Sequence, residues 1–384
     1  MRKPLSLLAI SYIIFYFPSG LLKSYLSQFL VNSGLSYGMA GIIVGSTFTI
    51  KILVNPTLTY ISDHTNTTYL FKISFSIVAA ISVAALSVSQ SVVLLTISTC
   101  VLMASRNFFQ STLESTATNT SQKMTRSGYG RVKFGGSLSV AVGTATLAAL
   151  SAANFSPDLI FISILCSSTF CFSAVMIATS KKTTEAKHPR TSSLTSQTPR
   201  RTILLMFAAT ALIIGSQGAY YSIGTPWLML MGLSNSQIFI AWTIGFVAEA
   251  LVFRYSTTSV NRHYENVIKI VAICIIFRAF LMWASPGMTQ TAASFVMQGI
   301  TFSIPHAAFI FSIRRYFSEN YSATAISVYF AVAHGVGIAI ISGVSGIMLE
   351  RHTELAWALP AISGTIGCVF WMASHKVASE KKHN

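Results

Sequence analysis

Twelve apolar runs, each about 20 residues long and so able to cross a bilayer as a helix, dominate this chain of 384 residues. They lie near 5–31, 39–61, 69–88, 92–115, 130–150, 156–180, 202–224, 235–255, 266–285, 289–312, 322–348 and 354–375. Lipid offers the peptide group no hydrogen-bond partner, so a spanning run must satisfy its own backbone, and α-helices do this. Only 9% of the residues are charged, against about a quarter in soluble chains. The expectation is an all-α membrane protein of twelve spans. A net charge of +16 does not indicate nucleic-acid binding, because the basic residues are scattered between apolar runs with no aromatic-interleaved basic face. The five cysteines fall inside the runs and form neither a disulfide framework nor a metal-ligand spacing. No cofactor or metal is expected. The first run follows Arg2 and Lys3 but is too long for a signal peptide and lacks a small-residue cleavage site, which makes it a permanent helix.

Gly34-Leu35-Ser36 recurs as Gly232-Leu233-Ser234, about half a chain length later, and each copy opens a long apolar segment. The repeat places Lys51 and Glu249 at equivalent depths of the two copies. Such duplication is the mark of a two-half transporter whose working site lies between the halves. The segment 181–201, rich in Lys, Arg, Ser and Thr and carrying Pro189 and Pro199, separates six runs from six. The predicted organisation is an N-terminal six-helix half (1–180), a linker (181–201) and a C-terminal six-helix half (202–384). With both termini and the even-numbered connections on one side, every Lys and Arg outside the runs gathers there except Arg351. The positive-inside rule then makes the termini and linker cytoplasmic, in what is expected to be a bacterial inner membrane.

Four cations, Lys23, Lys51, Arg106 and Arg278, lie well away from the ends of the runs, and the acids read with them are Glu249 and, at the end of the fourth run, Glu114. Ionised groups at this depth are costly and must face a polar cavity or a partner, so the excess of positive charge favours an anionic solute. Lys23, in the outer half of its helix, either snorkels to the surface or joins the interior. In the fourth run Arg106, Gln110 and Glu114 stand at i, i+4 spacing and form a polar stripe that lipid would not tolerate. The spacing is compatible with either a solute contact or a tie between helices. Glu114 ends the fourth run and Lys133 begins the fifth, so a short connection allows the two charges to face one another.

Several motifs, in chain order, now point to a family. Ser62-Asp63 ends the second run, where major facilitator proteins carry an acidic loop motif. The stretch Gly128-Tyr129-Gly130-Arg131-Val132-Lys133-Phe134-Gly135-Gly136-Ser137 resembles the start of the fifth helix in the lactose-permease-like oligosaccharide/proton symporters and the phenylpropionate-permease-like proteins. Ala219-Tyr220-Tyr221, Val247-Ala248-Glu249-Ala250-Leu251-Val252-Phe253 and Thr301-Phe302-Ser303-Ile304-Pro305-His306 look most like the phenylpropionate group. Tyr321-Ser322-Ala323-Thr324 is closer to the lactose group. The resemblance covers nearly the whole chain.

The resemblance implies a major facilitator fold, two six-helix halves around a central cavity. It implies that Glu114 and Lys133 correspond to a sugar-binding acid and its basic partner. Glu249 and Arg278 correspond to the acid of helix eight and the arginine of helix nine, which serve substrate binding and proton coupling. His334 stands where the lactose group has a lysine. Ile300 and Ser303 replace the histidine and the proton-carrying glutamate of helix ten, and Val140 replaces the tryptophan that stacks on sugar. Galactoside transport is therefore not expected. Thr59 and His64 also depart from the acidic loop motif.

The functional expectation is secondary transport of a small organic anion, such as an aromatic monocarboxylate, with proton symport and by a single chain. Substrate binding is expected at Glu114, Lys133, Arg106, Tyr220, Tyr221 and Lys51, with Tyr12 and Phe330 on the apolar wall. Proton coupling is expected at Glu249, Arg278 and His306, and gating at Asp63 and Arg131. Burial raises the pKa of an intramembrane carboxylate and a nearby arginine lowers it, so switching that contact moves a proton. A sugar symporter or a drug or metabolite exporter of the same fold is the alternative, although the cationic excess weighs against cationic drugs. No nucleotide-binding loop is present, and His306 and His334 are remote in sequence from other catalytic side chains, so an enzyme is not expected.

Overall fold

A computed structural model of the chain describes residues 3–65, 68–89, 91–122, 128–179, 200–255, 260, 267–284, 287–317, 325–326 and 328–383. Within these, side chains at 3–9, 51, 53–69, 111–112, 114–133, 178–179, 314–315 and 377–383 lie outside the description. The linker 181–199 is likewise outside it.

Twelve helical spans occur, close to the expected bounds. The first six are Lys3–Asn32, Tyr37–Thr65, Thr68–Val88, Val92–Gln122, Gly128–Ala152 and Pro157–Thr179. The seventh runs through Arg200–Gly215 and Gln217–Leu230, interrupted at Ser216; the eighth is Asn235–Tyr255 and the ninth Val267–Trp283. The tenth contains Met288–Val296, a π-helical segment Gly299–Ser303 and Ile304–Tyr316. The eleventh contains the π-helical segment Phe330–Gly337 followed by Ile338–Arg351, and the twelfth is Ala358–His383. Among the described residues, nine helices are long and apolar enough to cross a membrane.

The repeated Gly-Leu-Ser has one structural meaning in both places. Gly34 and Gly232 adopt positive φ, 95° and 83°, and each ends its helix in the same way. The Gly34 N–H donates to Val31 O and the Leu35 N–H to Leu30 O, at 2.9 and 3.1 Å; Gly232 and Leu233 repeat this on Met229 O and Leu228 O, at 3.0 and 3.1 Å. A β-carbon would be strained there, and the pattern satisfies carbonyls left open by the helix end. Ser36 and Ser234 then cap the next helices, accepting from Met39 N and Gln237 N. Gln237 Oε1 accepts in return from Ser234 N at 2.9 Å, which closes a capping box.

Helices from the two halves meet closely on the side away from the termini. The second span carries Gly41 and Gly45 at i, i+4, and the eleventh carries Gly346. A β-carbon on Gly41 would lie 2.7 Å from Ser342 O and 2.9 Å from Gly346 Cα, so the two backbones touch directly. Gly38 N donates to Glu350 Oε2 at 2.8 Å at the end of this seam. Ser27 Oγ of the first span donates to Ser222 O of the seventh, and Thr225 Oγ1 donates back to Ser24 O. The fifth and eighth spans pair along their length, with Thr243 Oγ1 donating to Thr144 Oγ1 at 3.1 Å.

Candidate functional site

The site grows from polar groups that apolar helices carry inward. Glu249, 4% exposed, lies on the eighth span where it faces the fifth and the tenth. Its Oε1 accepts from Ser137 Oγ at 2.9 Å, across the two halves. Its Oε2 accepts from Gln298 Nε2 at 3.3 Å, within the C-terminal half. Gln298 sits one residue before the π-helical segment of the tenth span. Such local widenings of a helix redirect side chains and recur at functional sites.

Arg278 of the ninth span is 1% exposed and joins this group from behind. Its Nη2 donates to Gln298 Oε1 at 3.1 Å, and its Nη1 to Gln217 Oε1 at 2.7 Å and Thr301 Oγ1 at 3.0 Å. The guanidinium carbon lies 3.5 Å from the centroid of the Tyr220 ring, a close cation–π contact. Among the described residues the Nε–H finds no acceptor. The space beside Arg278, lined by Ser216, Ile275 and Pro360 among others, is too small for water. The Glu249–Arg278 pairing that the sequence suggested is therefore indirect: a glutamine separates acid from arginine. Tyr220 also packs on Trp357, with centroids 5.0 Å apart, and serves here as a platform for Arg278.

Arg106, 8% exposed, turns to the first span. Its Nη2 donates to Phe15 O and to Ser19 Oγ, both at 2.9 Å, and its guanidinium lies 4.6 Å from the Phe15 centroid. Pro18 lies in the same turn of that helix and supplies no N–H to it. Tyr12 belongs to a packed aromatic cluster with Phe15, Phe108, Phe109 and Phe172.

Lys23 departs from the surface alternative. Its Nζ lies 5.7, 5.4 and 5.8 Å from the ring centroids of Tyr221, Phe246 and Phe302. These rings belong to the seventh, eighth and tenth spans, so a cation of one half is enclosed by aromatics of the other. The described residues give this ammonium no hydrogen-bond acceptor and no carboxylate partner. Cation–π contacts return about 0.5–2 kcal/mol each, whereas removing an ammonium from water costs several. Tyr221 also stacks on Phe48 of the second span at 5.8 Å and on Trp242 at 6.2 Å.

His306 lies on the far side of Phe302, its ring 6.0 Å from that ring. Its Nδ1 is 2.7 Å from Tyr329 Oη, and His334 Nε2 is 3.3 Å from the same hydroxyl. Phe330 flanks both histidines. The structure thus brings Glu249, Arg278, Tyr220, Tyr221 and His306 into one neighbourhood with Lys23, while Arg106 faces the first helix. The backbones of Lys51, Asp63, Glu114, Arg131 and Lys133 are helical, but their side chains lie outside the described residues. Sequence reasoning missed Gln217, Gln298 and Thr301, which surround Arg278. The two glutamines had a signal: amides deep in apolar runs follow the same rule as charges and must find partners.

The whole arrangement is superposable on known membrane transporters. The nucleoside transporter NupG (D323A mutant) matches with a TM-score of 0.76 at 14% identity, over 96% of this chain and 99% of that one. A bacterial homolog of the human lysosomal transporter Spinster, inward-facing and unoccupied, matches with a TM-score of 0.75 at 12% identity, over 98% and 97%. At these identities the likeness establishes the fold alone, twelve helices in two six-helix halves. The sequence model of the MFS_1 like family matches residues 5–359, and the chain belongs to that family. It is also similar to a probable 3-phenylpropionic acid transporter of Escherichia coli (strain K12), 28% identical over 147 residues, 37% of this chain. That match spans 38% of the relative's length.

Proposed function

We propose that this multi-pass membrane transporter moves an aromatic monocarboxylate together with a proton, by alternating access of a site between its two halves. The carrying observation is the charge balance at the site. Among the side chains described at the site, two cations, Lys23 and Arg278, stand with one buried carboxylate, Glu249. A carboxylate solute redresses that imbalance, and aromatic walls suit an aryl group. The similarity to a probable 3-phenylpropionic acid transporter supports the same class.

Glu249 is the proton-coupling group in this reading. It accepts from Ser137 of the other half and from Gln298. A proton on the carboxylate removes the charge that strengthens the bonds from Ser137 and Gln298, which loosens the seam between the fifth and eighth spans. Both termini are taken to be cytoplasmic, with 1–180 and 202–384 as the moving halves and 181–201 as their connection.

The experiment is uptake into proteoliposomes of labelled 3-phenylpropionate, a sugar and a nucleoside, with and without an imposed proton gradient. The expected result is uphill accumulation of the aromatic acid in the presence of the gradient. Accumulation of the sugar or nucleoside with no competition by organic anions overturns the reading.

A further inference from the structure

We propose that Lys23 is the group that takes the solute's carboxylate, and that Tyr221, Phe246 and Phe302 form the clasp for its aryl part. The inference rests on the aromatic-acid reading above and names the residues that give it selectivity. Three buried or half-buried cations compete for this role, and their surroundings separate them. Arg278 is saturated on both terminal nitrogens by Gln217, Thr301 and Gln298, and one face is covered by Tyr220. Arg106 donates to a carbonyl and a hydroxyl of the first span. Lys23 alone of the three lacks a described oxygen partner and is surrounded by rings.

An ammonium keeps three donors, and ring faces satisfy its charge only in part. A carboxylate supplies the strong charge-assisted bonds that rings do not. The location suits a carrier. Lys23 comes from the first span and the three rings from the seventh, eighth and tenth, so the contact crosses the interface on which the halves move. Phe48 extends the aromatic surface onto the second span by stacking on Tyr221. In the empty carrier the rings hold the ammonium. When an aryl carboxylate enters, the anion takes the ammonium and the aryl ring takes the place of the alkyl-ammonium against the same aromatic faces. Phe246 precedes Glu249 by three residues on the eighth span, one helical turn away, so this seat adjoins the proton-coupling group. The flexible four-carbon stem of lysine permits the ammonium to follow the anion as the halves separate.

The test measures binding of 3-phenylpropionate and of its neutral analogue 3-phenylpropionamide to purified protein in nanodiscs. Wild type, Lys23→Gln, Lys23→Met and Lys23→Arg are compared, each checked for monodispersity. Met is unbranched and apolar, so Lys23→Met suits the aromatic surroundings and keeps the test available if the Gln variant fails to fold. The expected result is a loss of tenfold or more in affinity for the acid in Lys23→Gln and Lys23→Met, near-wild-type binding in Lys23→Arg, and amide affinity unchanged throughout. Wild-type affinity for the acid in Lys23→Gln or Lys23→Met overturns the assignment of Lys23 and leaves the aromatic-acid reading standing. Wild type that binds no aromatic carboxylate overturns both. An equal loss for acid and amide overturns the charge role, since that pattern marks packing alone.

Discussion

Glu249 and Arg278 share a glutamine rather than a salt bridge: Gln298 donates its amide to the acid at 3.3 Å and offers its carbonyl to the guanidinium at 3.1 Å. The arrangement has a direction, because the side-chain amide must keep Nε2 toward Glu249 and Oε1 toward Arg278 to satisfy both. It links the carboxylate at the interface between the halves to an arginine held inside the C-terminal half. A buried acid and base that touched would neutralise one another and resist separation. A neutral relay between them suits the proton-coupling role proposed for the acid.

Glu249→Gln is expected to abolish gradient-driven accumulation while leaving exchange or downhill movement of solute. The neutral amide still accepts from Ser137 but carries no proton through the cycle. Proteoliposome uptake and counterflow distinguish the two activities, and accumulation at the wild-type level removes Glu249 from the coupling role.

Gln298→Leu is expected to lower stability by about 1–3 kcal/mol, the usual cost of stranding buried polar partners. Both Arg278 Nη2 and Glu249 Oε2 lose their contact, and no water-sized space lies beside Arg278 to replace it. A lowered melting temperature in detergent checks this. Gln298→Glu places a carboxylate against Arg278 and is expected to weaken coupling with a smaller loss of stability.

Arg106→Met is expected to act through the first helix. It removes the donor to Phe15 O and Ser19 Oγ, at about 1–3 kcal/mol for a buried charge-assisted pair. The melting temperature should fall while KM stays within about threefold, a small share of the tenfold that 1.4 kcal/mol represents. A KM raised more than tenfold at unchanged stability would instead make Arg106 a solute contact, as its polar stripe allowed.

Gly41→Leu is expected to hold the second and eleventh spans apart, because even a β-carbon there meets Ser342 O and Gly346 Cα inside van der Waals distance. Transport should fall at least tenfold, with solute binding retained. In a variant cleared of native cysteines, Ser27→Cys should become more reactive to a membrane-impermeant maleimide, since its partner Ser222 belongs to the opposing half. Unchanged labelling would mean that the glycine contact does not set closure.

The sequence by itself determined the all-helical, twelve-span architecture, because lipid leaves an apolar run of that length no other way to satisfy its backbone. It also determined the matched helix ends at Gly34 and Gly232, where local conformation needs a residue without a β-carbon and a serine ready to cap the next helix. Both are local effects, written within a few residues. It further placed Glu249, Arg278 and His306 at membrane depth, since a polar group there is conspicuous against apolar neighbours. The tertiary structure alone decided where those groups point. A span that is apolar on every side carries little periodicity to reveal which face meets a partner, so the turn of Lys23 into Tyr221, Phe246 and Phe302 was not legible. The insertion of Gln298 between Glu249 and Arg278 brings together side chains of the eighth, ninth and tenth spans, just before a π-helical segment of the tenth. Which residues meet across an interface is a property of packed helices together, and no single run encodes it.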